Sequence, residues 1–159
     1  MKATAIILIL LCLAALVGIG YLYFSANLVI EPGGCIATDA QGQPEVFQQM
    51  KTAAEKETLT GTLFGSMTDA TPENSLFYTY TLHISNRTFL KAEVIEITIT
   101  PMNGDLLQTG EEQAYDLGPG KSFDLTATIL TAKGGSPIRE ATVTYYFWGI
   151  PFSTKVTVQ

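Results

Sequence analysis

Residues 76–85 read LFYTYTLHIS, and the alternation within them decides the fold. Successive side chains of a strand point to opposite faces, so Tyr78, Tyr80, Leu82 and Ile84 share one side while Thr79, Thr81, His83 and Ser85 share the other. A period of 2 predicts a half-buried strand, ended by Asn86-Arg87. The pattern recurs downstream. Ile95, Ile97 and Ile99 alternate with Glu96 and Thr98, and the turn Asn103-Gly104-Asp105 then leads into Leu106 and Leu107, which predicts a hairpin. After Gly118-Pro119-Gly120, the residues Phe123, Leu125, Ala127 and Ile129 alternate with Asp124, Thr126 and Thr128. Gly134-Gly135-Ser136-Pro137 breaks the chain again. Val143, Tyr145 and Phe147 then oppose Thr144, Tyr146 and Trp148, and the closing run puts Phe152, Val156 and Val158 on one face. With 59–64 as the first strand, the chain reads as seven to eight short strands with turn signals and no helix between them. That calls for a mainly β, antiparallel sandwich over 58–159 rather than a parallel sheet. Thr on the outward faces suits a solvated pleat and argues against a lipid-facing barrel.

Upstream of the strands, 44–57 places Val46, Phe47, Met50, Ala53 and Ala54 on one helical stripe, with Pro44 and Glu45 suited to a first turn. A short amphipathic helix packing on the domain is expected. Residues 25–43, rich in Gly and small residues without a lasting period, read as a tether with room for a short strand at 28–30. Before them, no charge occurs between Lys2 and Glu31, and residues 5–24, AIILILLCLAALVGIGYLYF, are long enough as a helix to cross the roughly 30 Å of a bilayer core. The reading is a transmembrane signal anchor at 5–24, with the lipid bilayer as its partner. Lys2 and the α-amino group mark residues 1–4 as the cytoplasmic end, so the later domain lies outside the cytoplasm. The alternative is a cleaved leader and a secreted domain. Gly18-Ile19-Gly20 supplies a small-residue pair for cleavage, but at the cost of an apolar new terminus.

The sequence run 78–129, with a strand ending in Ser85-Asn86, an alternating Ile strand, a glycine turn and then Leu117-Gly118-Pro119-Gly120-Lys121-Ser122, resembles the FxLYD-type and related small bacterial envelope domains. The spacing of Leu117, Pro119, Gly120 and Phe123 is similar to the turn before a late strand in fibronectin type III modules. The resemblance implies an Ig-like β-sandwich tethered outside a membrane, and it brings no catalytic residues. Pro101-Met102-Asn103 stands where the FxLYD pattern has its Tyr-Asp pair, and the early strand Trp of a fibronectin module is missing.

With 9 basic and 15 acidic residues the net charge is −6, so a nucleic-acid partner is not expected. One His and two Cys leave little for metal or imidazole chemistry, and neither a cofactor nor a metal site is expected. His83 reads as a solvent-facing side chain. Cys35 would be the only exported thiol, silent or forming an intermolecular disulfide. Asp69, Glu73 and Asn74 share a loop whose spacing matches no calcium loop, while Glu111-Glu112, Asp116 and Asp124 are the carboxylates a hydrolase would draw on. Asn86-Arg87-Thr88 fits a glycosylation sequon, irrelevant in a bacterium. Residues 145–152, YYFWGIPF, are apolar on both strand faces. Either the helix at 44–57 covers this strand, or Tyr146, Trp148 and Phe152 form an exposed patch for an unknown protein or cell-wall partner. Together these readings predict a non-catalytic structural or binding protein of the bacterial cell envelope. The alternative is a carboxylate-based enzyme or a calcium-dependent module.

Overall fold

In a computed structural model that describes residues 2–110 and 115–159, the chain runs α1 (Lys2–Ser25), β1 (Val29–Asp39), α2 (Pro44–Glu55), β2 (Gly61–Leu63), β3 (Ser75–Ser85), β4 (Ala92–Ile99), β5 (Asp105–Thr109), β6 (Tyr115–Leu117), β7 (Ser122–Ala132), β8 (Arg139–Phe147) and β9 (Ile150–Val158). Two antiparallel sheets form, one in the order β1-β3-β7-β5-β2 and the other β6-β4-β8-β9. The alternating segment that sets the pattern is β3, flanked on both sides. It pairs with β1 through Val29 opposite Ser85, and with β7 through Ser75 opposite Ala132.

The predicted inward faces are the observed core. Tyr80, Leu82, Ile84, Ile95, Ile97, Ile99, Ile129 and Val143 are fully buried between the sheets, whereas Glu96 and Thr98 stay exposed. Removing a side chain of this size from water contributes roughly 1.5–3 kcal/mol, so a shared interior of this extent holds two small sheets together.

Four features depart from the sequence reading. First, 25–43 is not a tether. Residues 29–39 form β1, an edge strand whose alternation is broken by a register shift between Pro32 and Gly34, and Ala26 and Leu28 are buried in the core. Pro32 lacks an N–H and the two glycines lack side chains, which hides the strand from any pattern of period 2. Second, β4 and β5 lie in different sheets, so 99–107 is an arch and not a hairpin. Past Ile95, β4 pairs with no strand on the β6 side among the described residues, and the buried side chain of Gln108 on β5 bonds its backbone there. Its Nε2 donates to Ile97 O at 3.0 Å and its Oε1 accepts from Ile99 N–H at 2.8 Å. Third, α2 does not cover β8. Phe47 sits in a separate cluster with Phe77, Leu107, Leu130, Met67 and Ala70, on the outer face of the five-stranded sheet. Fourth, nine strands occur among the described residues, because β1 joins those expected.

α1 stands apart from both clusters. Ala5–Ser25 is long and apolar enough to cross a membrane or to serve as a signal sequence, and among the described residues none of its side chains is fully buried.

Candidate functional site

The segment 145–152 forms the end of the β8–β9 hairpin, and its two faces diverge. Tyr145 and Phe147 turn inward and are buried, Phe152 packs partly against the same core, and Tyr146 is half-buried opposite Pro151. Phe147 pairs with Ile150, so Trp148-Gly149 is a two-residue turn with φ of 53° and 75°. Positive φ at both central positions gives the twist a tight hairpin needs. Gly149 adopts it freely, whereas a bulky side chain at Trp148 does so against its own preference. Trp148 is left 60% exposed. Tyr146 faces away from Phe152 and does not join it in a patch, whereas Trp148 at the tip and Phe152 line one apolar crevice.

The last turns of α1 close on this hairpin. The rings of Tyr23 and Phe152 lie 5.3 Å apart, Phe152 stacks on Tyr145 at 5.9 Å and 11°, and it meets Phe147 edge-on at 5.8 Å. Ile19, Tyr23 and Ala26 line one side of an apolar crevice whose other side is Phe147, Trp148, Ile150 and Phe152. The Tyr145 hydroxyl donates to Asn27 Oδ1 at 2.8 Å and accepts from Leu28 N–H at 3.4 Å, locking the helix-to-strand junction onto β8. Nothing in the sequence pattern signals this contact, because it depends on how the three residues after α1 dock.

The candidate carboxylates are dispersed. Asp69, Glu73 and Asn74 shape their own loop: Asn74 Oδ1 accepts from Thr71 N–H at 2.9 Å, Asn74 Nδ2 donates to Asp69 O at 3.4 Å, and Glu73's own N–H together with Thr71 holds its carboxyl below the usual range. Asp116 on β6 lies 2.6 Å from Lys91 Nζ, and that bond lowers its pKa. Asp124 on β7 meets the half-exposed His83 at 2.7 Å, away from both. Glu111 and Glu112 lie outside the described residues. Among the described residues no three His, Cys, Asp or Glu side chains converge as metal ligands.

No family model matches this chain, and no curated protein does. A FixG-related protein from Vibrio parahaemolyticus is similar in structure, with 14% sequence identity, 82% of this chain and 94% of that chain covered, and a TM-score of 0.38. A likeness of that size carries no functional argument.

Cys35 sits on β1 with its side chain partly packed against the core, and desolvation pushes its thiol above the ordinary range despite a bond with the Tyr80 side chain. Because the thiolate is the nucleophile, a raised pKa means a slow thiol. Alkylation of Cys35 by iodoacetamide near pH 8 is expected to run several-fold slower in the folded chain than after denaturation. Mass spectrometry of quenched time points checks this, and equal rates would sink it. An intermolecular bridge at Cys35 requires the thiol to leave Tyr80. The sequon also reads differently in three dimensions: Asn86 is 1% exposed and its Nδ2 is already bound to two carbonyls, so the folded chain does not present it.

Proposed function

We propose that this chain is a membrane-anchored extracytoplasmic domain of the Ig-like type, held by α1 at a bacterial envelope and serving a structural or binding role rather than a catalytic one. One observation carries the reading: a long apolar helix, in contact with the sandwich only through its last turns, runs directly into it. The described large apolar side chains of α1, from Ile6 to Ile19 and at Tyr21, Tyr23 and Phe24, are more than half exposed, and the core between the sheets holds none of them. Leaving such a surface in water costs roughly 25 cal/mol per Å², which lipid removes. Lys2 and the α-amino group at one end of α1, and the acidic sandwich at the other, support an orientation with the N-terminus inside. The dispersion of Asp69, Glu73, Asp116 and Asp124 supports a binding role over hydrolysis, since paired carboxylates need a fixed short separation. The partner on this reading is a protein or cell-wall component.

The test is the fate of the full chain expressed in a bacterium. The expected result is an intact N-terminus by mass in an alkali-resistant membrane pellet, with the sandwich degraded by protease added outside spheroplasts. A soluble product starting near Tyr21 would replace this reading with the secreted one, and protection of the sandwich from external protease would reverse the orientation.

A further inference from the structure

We propose that the β8–β9 hairpin tip is a second membrane contact, lowered beside α1 into the interfacial zone of the same bilayer. This rests on the anchored reading above. The helix itself gives the depth. Ile19 and Trp148 line one crevice, and Ile19 lies about 9 Å before Ser25 along the helix axis at 1.5 Å per residue. With residues 5–24 filling the hydrocarbon core, Ile19 lies about 8 Å beneath its outer edge, so a ring that meets Ile19 from the sandwich side sits just below the headgroups, next to the zone where tryptophan is enriched.

The height cannot drift far. Only residues 26–28 separate α1 from β1, Ala26 and Leu28 are buried, and Tyr145 bonds the linking backbone. The sandwich therefore sits on the anchor without slack, with one fixed end toward the lipid. That end carries the surface expected of a lipid contact. Trp148 and Phe89 are each 60% exposed and Ile150 is 44% exposed, and Phe89 lies on the loop between Ser85, which faces Val29 at the start of β1, and Ala92. Arg87 and Lys121 flank it and form no salt bridge among the described residues, leaving both free for headgroup phosphates. The strained backbone at Trp148 fits the same reading. Asn-Gly would make this turn more easily, so the position holds a large ring where the fold alone favours a small polar side chain.

Trp148 is the only tryptophan in the chain, which makes it its own probe. The full chain is reconstituted into vesicles of equal parts dioleoylphosphatidylcholine and dioleoylphosphatidylglycerol, some brominated near the glycerol end of the acyl chain and others near the methyl end. The expected result is that the protein floats with the vesicles, that Trp148 emission shifts to the blue and is lost most strongly to the shallow bromines, and that aqueous iodide quenches it little. Flotation with a red-shifted emission open to iodide overturns this proposal and leaves the anchor standing. Flotation with protection from both bromine and iodide assigns the tip to a second copy of the chain and also overturns it. A chain that does not float removes the anchor and this contact together.

Discussion

Replacing Arg139 by Met is expected to cost about 3–5 kcal/mol of folding stability, because it breaks the buried ion pair among the described salt bridges. Arg139 opens β8 in one sheet and Asp105 opens β5 in the other, and their side chains meet with 1% and 0% exposure. Nη2 donates to Asp105 Oδ1 at 2.9 Å and Nε to Oδ2 at 3.3 Å, so the pair is bidentate. The remaining capacity is also used: Nη1 donates to Ser136 O and Ile138 O, and Asp105 Oδ2 accepts from Met102 N–H at 2.7 Å. Such a pair contributes little beyond what an apolar pair would, because both ions left water to form it. Removing one partner is different, since the other is stranded without solvent. Asp105→Ala should therefore lose a similar amount, while the double variant Asp105→Leu with Arg139→Met should recover most of the loss. Urea unfolding of the full chain in micelles, followed by near-ultraviolet circular dichroism, gives the three values. Single losses under about 1 kcal/mol would mean that the pair behaves as a surface bridge and does not tie the sheets.

That pair also marks the limit of what the sequence discloses. Burial of Tyr80, Leu82, Ile95 and Ile97 was legible because period 2 is a local property of each strand, independent of its neighbours. The Asn103-Gly104-Asp105 turn looks like a hairpin for the same local reason, yet the side chain of Asp105 is drawn to a guanidinium far along the chain, and the backbone crosses to the other sheet. The seat of α2 left a faint trace. Phe77, Leu107 and Leu130 each adjoin another apolar residue, Tyr78, Leu106 and Ile129, so three strands carry an apolar side chain on the face that otherwise alternates polar. Those doubled positions in neighbouring strands make the patch that receives Phe47. At the candidate site, alternation correctly sends Tyr145 inward and Trp148 outward. The closeness of α1 to that hairpin follows from Ala26, Asn27 and Leu28, three residues too few to show a period.

Asn86→Ala is expected to cost about 3 kcal/mol, an unusual sum for one loop position, because a single buried amide there organises three segments. Asn86 Nδ2 donates to Leu90 O at 2.7 Å and to Leu117 O at 2.8 Å, while its Oδ1 accepts from Thr88 N–H at 3.0 Å and Thr88 Oγ1–H at 2.7 Å. Its backbone adds two bonds, N–H to Lys121 O at 2.9 Å and O from Gly120 N–H at 2.8 Å. Truncation removes the amide donor from the Leu90 and Leu117 carbonyls, the first of which keeps a bond from Thr88 Oγ1 at 3.2 Å, and removes the acceptor of Thr88 N–H, and each polar group left unpaired away from water costs about 1 kcal/mol or more. Asn86→Asp separates this account from simple loss of volume. The aspartate has the same shape but aims an acceptor at two carbonyl oxygens, so its charged form is disfavoured in the folded state and its pKa there is raised above the unfolded value. The folded state then binds the proton more tightly, so stability rises as the pH falls through the folded pKa toward the unfolded one, and the penalty is greatest at neutral pH. Urea midpoints for wild type and variant at about pH 7 and pH 4 should converge at the acid end. A gap that stays constant would mean that Nδ2 is not the donor that matters. The same amide fixes the loop that carries Phe89 and the turn that carries Lys121, so the end of the sandwich proposed to meet lipid owes its shape to a buried side chain.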